Sequence, residues 1–176
     1  MNYWIEQYKQ YHKEHNDYGN GAGLKFYLQH IVDLVQDWKA ESILDFGCGK
    51  AEGYLNYNYH KHWGGIMPSL YDPAIPEYEN FPAGTFDGVM SFDVLEHIPE
   101  QQIPETIHQI TKVANKFVFL GIATDPAIAV LPNGENAHCT LKPLEWWVDT
   151  WWHSAVKDNI TVHIKTYGQY EGYQII

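Results

Sequence analysis

Apolar and aromatic residues recur along this chain at two spacings. Leu24, Tyr27, Leu28, Ile31, Leu34, Val35 and Trp38 fall on one stripe of a 3.6-residue repeat, which predicts a helix with one buried face. Tyr3, Trp4, Tyr8 and Tyr11 keep nearly the same spacing across residues 2–15, and "HNDYGNGAG" between the two stretches reads as a loop. Short apolar runs then alternate with helical patterns. "SILDF", "GGIMPSLYD", "TFDGVMSF" and "KFVFLGIA" predict strands, the second weakened by Pro68, which cannot donate to a ladder. "YLNYNYHKHW", "PEQQIPETIHQITKVA" and "LEWWVDTWWHSAV" predict helices, with Pro104 confined to a first turn. "ITVHIKTYG" and "QYEGYQII" close the chain as two strands.

Strands alternating with helices imply an α/β domain, Rossmann-like, with a mostly parallel sheet. The last two strands have almost no chain between them and must form an antiparallel hairpin. Residues 1–176 are expected to be one domain, with a helical cap over 1–38 and the core over 39–176. Ligands in such sheets sit at the carboxyl ends of the strands. Those ends are "DFGCG", "YDP", "SFDVLEH" and "GIATD", followed by a long polar loop from residue 124 to 143.

Charge narrows the partners. The 176 residues hold 11 lysines, no arginine and 22 carboxylates, a net charge of −11. Such a surface repels polyanions, which argues against nucleic acid and against an anionic membrane face. The amino terminus lacks the apolar stretch of a signal peptide, no window reaches a membrane span, and Cys48 sits inside a glycine turn where a crosslink is out of place. A soluble, cytoplasmic protein is the expectation.

"ESILDFGCGKAEG", residues 41–53, raises the chemical question. Gly47, Gly49 and Gly53 after a strand, with Asp72 about 20 residues on, outline a dinucleotide fingerprint. Asp45 spoils that outline, because a carboxylate aimed at a pyrophosphate opposes binding. An acid in that place suits a cation, such as the ammonium and sulfonium of S-adenosylmethionine, while Asp72 suits the ribose hydroxyls. An aspartate there can also simply cap the next helix.

Taken together, "ILDFGCGKAEG", "LYDP" and "FDGVMSFDVLEHIP" resemble the first motif, the ribose-binding strand end and the fourth-strand exit of the class I S-adenosylmethionine-dependent methyltransferases. "PNGENAHCTLKPLEWW" is similar to a segment of a bacterial and phage-type subset of that superfamily. The resemblance implies the cofactor S-adenosyl-L-methionine, with contacts at Asp45, Gly47, Cys48 and Gly49 and ribose contacts at Asp72. It puts Asp93 beside the reactive methyl, and Tyr18 and Gly19 over the methionyl end. Two departures stand out: Ala51 replaces the third glycine, and the chain between Asp72 and Phe86 is too short for the usual third strand. Adenine recognition then falls to Ser91, Phe92 or backbone groups.

Methyl transfer needs alignment of an acceptor lone pair and, for a hydroxyl or amine, loss of a proton. His138 in "GENAHCT" is the first candidate base, with Glu135 and Asn136 to orient it or the acceptor. His97 in "DVLEH" is the second, although a histidine there also packs and bonds backbone. Lys50 either meets the methionine carboxylate or points into solvent. His60 and His62 lack a third ligand, so no metal is expected. Trp146, Trp147, Trp151 and Trp152 either floor an acceptor site or form core with one member exposed. The expected activity is O- or N-methylation of a small-molecule or glycan-linked acceptor. The alternatives are an NAD(P)-dependent oxidoreductase and a non-catalytic cofactor-binding relative.

Overall fold

A computed structural model describes residues 3–157 and 159–176, with the side chains of all of these except Ala22. Six strands, β1 (Ile43–Phe46), β2 (Ser69–Tyr71), β3 (Phe86–Phe92), β4 (Ala114–Ala123), β5 (Thr161–Tyr167) and β6 (Gly172–Ile175), form one sheet in the order β2-β1-β3-β4-β5-β6. Every neighbouring pair is parallel except β5 with β6. The α/β sheet with an antiparallel carboxyl-terminal hairpin is therefore as expected. Residues 73–85 contain turns and no strand, so the sheet stops at β2.

The helices are α1 (Tyr3–Glu14), α2 (Leu28–Asp37), α3 (Glu52–Leu55), α4 (Ile103–Val113) and α5 (Leu144–Ser154). Alternation along β1 sends Leu44 and Phe46 to one face of the sheet and Ile43 and Asp45 to the other. On the first face Leu44, Val89, Val118, Leu120 and Ile122 pack against Ile107 and Ile110 of α4 and Trp147 and Trp151 of α5. On the second, Ile43, Met90, Phe117 and Phe119 pack against Tyr27 and against Ile31, Leu34 and Val35 of α2. Burial on both sides explains why β3 and β4 read as continuous apolar runs. The aromatic run on α5 is core with one exposed member: Trp147 and Trp151 are buried and Trp152 is 61% exposed.

Three elements differ from the sequence pattern for local reasons. The helix predicted over 54–63 is interrupted, because Asn58 takes a left-handed φ of 55° between α3 and a 3-10 turn at Tyr59–Trp63. The second strand shrinks to three residues, since Gly64 and Gly65 have φ of 90° and 83° and Pro68 has no N–H. The helix predicted from Leu24 begins as a 3-10 turn at Ala22–Phe26 and becomes regular only at Leu28.

α1 buries none of its residues in the sheet's cores. It lies across the carboxyl edge of the sheet, tied by the Tyr8 hydroxyl donating to the Ala137 carbonyl at 2.6 Å and by Lys9 to Glu79 at 2.9 Å. Cys48 and Cys139 are free thiols, and among the described residues no helix is long and apolar enough to cross a membrane.

α2 ends in a Schellman motif. The Lys39 amide donates to Gln36 and the Ala40 amide to Val35, with Lys39 at φ 46°. Glycine takes that conformation without the Cβ penalty, and the Lys39 side chain is exposed. Lys39→Gly is expected to raise stability by about 0.5–1 kcal/mol, read as a higher urea midpoint with an unchanged slope; a lower midpoint would contradict this view of the cap.

Candidate functional site

β2 and β3 lie on opposite sides of β1, so the chain reverses its direction of travel across the sheet there. Open α/β sheets leave a crevice at such a reversal, outside the carboxyl ends of the strands. A cavity of about 940 Å³ fills that crevice and continues under α1 and the 124–143 loop. Its floor is the glycine turn and the ends of β2 and β3. Its roof includes Trp4, Ile5, Tyr8 and His12 of α1, and its far wall includes His97, Asp125 and His138.

The glycine turn is closed by protein atoms. The Gly47 and Cys48 amides donate to the Tyr71 carbonyl at 2.7 and 3.1 Å, and the Gly49 amide donates to Asp72 Oδ2 at 2.9 Å. Lys50 donates to the Gly19 carbonyl at 2.7 Å, Ala51 to Cys48 at 3.1 Å, and Glu52 to the Asn20 carbonyl at 3.0 Å. Every amide from Gly47 to Glu52 thus has a partner within the chain, and none faces the cavity as a free donor. A Cβ on Gly49 would overlap the Gly19 carbonyl oxygen, and one on Gly47 would overlap the Val94 side chain. These glycines admit other parts of the protein as much as a ligand. Ala51, at the position of the absent third glycine, is buried and held at φ 56°, the conformation glycine adopts more readily.

The acids around the turn are buried. Asp45 ends the buried run of β1 and accepts the Tyr54 hydroxyl at 2.6 Å. Burial pushes its carboxyl up to about 7, the Tyr54 bond pulls it back in part, and Asp72 adds a further upward push. Asp72 closes β2 and accepts from the Gly49 and Ala74 amides at 2.9 and 2.8 Å, so it braces the turn while its remaining lone pairs stay available. Its carboxyl is also raised, by burial, and the two amide bonds moderate the shift. Asp93 sits just past β3 at φ 57° and accepts the Tyr167 hydroxyl at 2.5 Å. Burial raises it as well, against that bond and the pull of His138. Asp45, Asp72, Asp93, Glu105 and Asp125 all line the cavity, and no lysine does among the described residues.

At the far wall two histidines meet edge to face, ring centroids 4.6 Å apart. His138 Nδ1 lies 2.6 Å from the Asp125 carbonyl, and His97 Nδ1 lies 2.9 Å from the Ala137 carbonyl. A carbonyl only accepts, so Nδ1 carries a proton in both rings. His97 stays neutral, its acidity pushed to about 3 by burial first and by His138 second. Beside them Glu96 is fully buried; Oε1 accepts the Ala123 amide at 2.8 Å and Oε2 has no partner. Burial holds the Glu96 carboxyl near 8, with Asp93 adding to the rise and the Ala123 amide pulling against it.

Most of the expected residues converge here. Asp45, Gly47, Cys48, Gly49, Asp72, Phe92, Asp93, Tyr18, Gly19, His97 and His138 all line the one cavity. Ser91 does not: its side chain points into the sheet packing, 1% exposed. Phe92 reaches the cavity but spends one face stacked on Tyr27, centroids 4.4 Å apart. Lys50 does not line the cavity; its Nζ donates in exposed hydrogen bonds to the His15 and Asn16 carbonyls at 2.8 Å each. Asn136 staples the loop, accepting from the Ala127 and His138 amides, and Glu135 is exposed and bonded to Asn133. Tyr8, His12, Tyr54, Glu96, Asp125 and Tyr167 were not singled out by the sequence. The one available signal was Glu96, adjacent to His97 in "DVLEH", since a carboxylate and imidazole side by side at a strand exit both reach the strand's carboxyl edge. No family model, curated protein or solved structure matches the chain.

Five carboxyl side chains and, among the described residues, no lysine make this lining better suited to positive charge than to a phosphate. The protonation of Asp45 gives a direct check. Its folded value near 7 lies above the ordinary 3.8, so its neutral form contributes stability that is complete below pH 4 and lost as pH rises through 7. In urea titrations between pH 5 and 7 the unliganded protein should lose up to about 1.4 kcal/mol per pH unit relative to Asp45→Asn. Parallel pH profiles for the two proteins would contradict the burial of an uncompensated carboxyl there.

Proposed function

We propose that the protein is an S-adenosylmethionine-dependent methyltransferase acting on a small acceptor held at the wall that His97 and His138 form. The observation that carries this reading is the charge of the cavity: five carboxyl side chains and, among the described residues, no lysine line it, at the reversal point where an α/β sheet binds its ligand. The turn amides, all bonded internally, offer a pyrophosphate no donors. That removes the main support for a nicotinamide-dependent oxidoreductase.

Asp45 would accept from the ammonium group of the cofactor, and the cation would return the buried carboxyl to its ionised form. Asp72, braced by two backbone amides, would accept from the ribose hydroxyls with its free lone pairs. Asp93, Tyr18 and Tyr167 border the space between this end and the histidines. When bound, the cofactor supplies an electrophilic methyl group on a sulfonium. What the chain's own residues supply is orientation, exclusion of water by α1 and the 124–143 loop, and a proton acceptor. His138 suits that last task, because the Asp125 carbonyl fixes its tautomer and leaves Nε2 bare. The cavity's volume is at the upper end of the roughly 300–1,000 Å³ of ligand sites. It accommodates a small acceptor better than a polymer, in keeping with the net charge of −11.

Isothermal calorimetry with S-adenosylhomocysteine should give one site per chain with a Kd in the micromolar range. Asp45→Asn, which can still accept from Tyr54, should weaken it about 10- to 100-fold, as expected for loss of a buried charge pair. NADH should give no heat under the same conditions. Binding of NADH but not of the adenosyl compound would overturn the proposal.

A further inference from the structure

We infer that Glu96, His97 and His138 form a binding site for one divalent transition-metal cation. One ligand atom from each of the three residues lies within 4.8 Å of the other two, and among the described residues no other group of three histidine, cysteine or acidic side chains comes together this way. The residues come from two separated segments, the exit of β3 and the 124–143 loop. The Cys139 and Thr140 amides both donate to the Glu96 carbonyl, at 2.9 and 3.0 Å, which locks those segments together next to the cluster.

Two further observations point to a ligand rather than to a chance cluster. Glu96 is 0% exposed, yet its Oε2 has no hydrogen-bond partner while Oε1 is held by the Ala123 amide. A buried carboxyl oxygen left unsatisfied is costly, and a metal cation that displaces the carboxyl proton supplies the missing partner. Both imidazoles also give Nδ1–H to a backbone carbonyl, the outer-shell bond typical of histidines that ligate a metal through Nε2. Tyr8 adds to this support, its hydroxyl donating to the Ala137 carbonyl at 2.6 Å and to the His97 carbonyl at 3.2 Å.

Two imidazole nitrogens and one carboxylate oxygen suit manganese, iron, cobalt or zinc, whereas calcium and magnesium prefer shells of oxygen. Bonds of about 2.0–2.1 Å place tetrahedral ligands about 3.4 Å apart, so the three groups need to close by about 1 Å or a little more. Three protein ligands leave a coordination position open, as in catalytic rather than structural sites. The far wall opens into the cavity through His97 and His138. This inference rests on the methyl-transfer reading only for its consequence, that the acceptor is a hydroxyl. A hydroxyl coordinated at the open position would have its acidity raised and would give up its proton to buffer as it binds, so that the transfer step needs no protein base. His138 then acts as a ligand and no longer as the base.

The test is titration of untagged, chelator-treated full-length protein with Co²⁺, read by visible absorption and by calorimetry, with S-adenosylhomocysteine binding measured on the same samples. The expected result is one Co²⁺ per chain with ligand-field bands, displaced by an equivalent of Zn²⁺. His138→Ala, a half-buried loop position, should lower Co²⁺ affinity at least 10-fold with the thermal midpoint and adenosyl binding retained. Glu96→Gln should do the same to the ion. Absence of ligand-field bands, or unchanged affinity in His138→Ala, would overturn the metal site. Ion binding without adenosyl binding would sustain the metal site and overturn the methyltransferase reading; adenosyl binding with no ion would do the reverse.

Discussion

The carbonyl of Gly19 accepts from the amide of Lys50 at 2.7 Å, and the next carbonyl, Asn20, accepts from Glu52. These two bonds lay the amino-terminal segment across the glycine turn, and the site is built around that contact. They use up amides that a turn of this shape normally turns towards an anion. Lys50 holds the same segment from the other side through the His15 and Asn16 carbonyls. Gly49 has to be glycine because a Cβ would strike Gly19. With α1 anchored in this way, its Tyr8 and His12 become roof residues of the cavity.

The consequence is electrostatic. With the turn amides already bonded, the charge of the cavity is set by its side chains, which include five acids and, among the described residues, no lysine. Burial then pushes Asp45 and Glu96 upward to about 7 and 8. They mark two places, about the turn and about the histidines, where positive charge would be accepted. On the proposed reading, the cation around the turn would be an ammonium beside a ribose, and the one around the histidines, next to the unpartnered Glu96 oxygen, would be a metal ion.

Much of the fold was legible because its signals are local. The apolar runs of β1, β3 and β4 and the stripe of α2 follow from period and length, and the hairpin from the lack of chain between its strands. The break at Asn58 was hidden, since a left-handed asparagine looks like any polar helix residue. In the site, Asp45 and Asp72 were identifiable by their place at strand ends. The use of the turn amides was not, because the carbonyls that take Lys50 and Glu52, Gly19 and Asn20, belong to an earlier loop with no pattern of its own, and the Gly47, Cys48 and Gly49 amides go to the later Tyr71 and Asp72. Glu96 was quoted within "DVLEH" yet its importance depends on burial and on the distance to His138, 42 positions along the chain. Pairings between distant segments leave no mark in a hydrophobic period.

The claim that organises the rest is that buried Asp45 awaits a cation. Calorimetry of S-adenosylhomocysteine binding at pH 6.5 in buffers of different ionisation enthalpy counts the protons exchanged. A neutral Asp45 that ionises beside an ammonium must release most of one proton, and Asp45→Asn must abolish that release. Binding with no proton release, or with the same release in both proteins, would contradict the account.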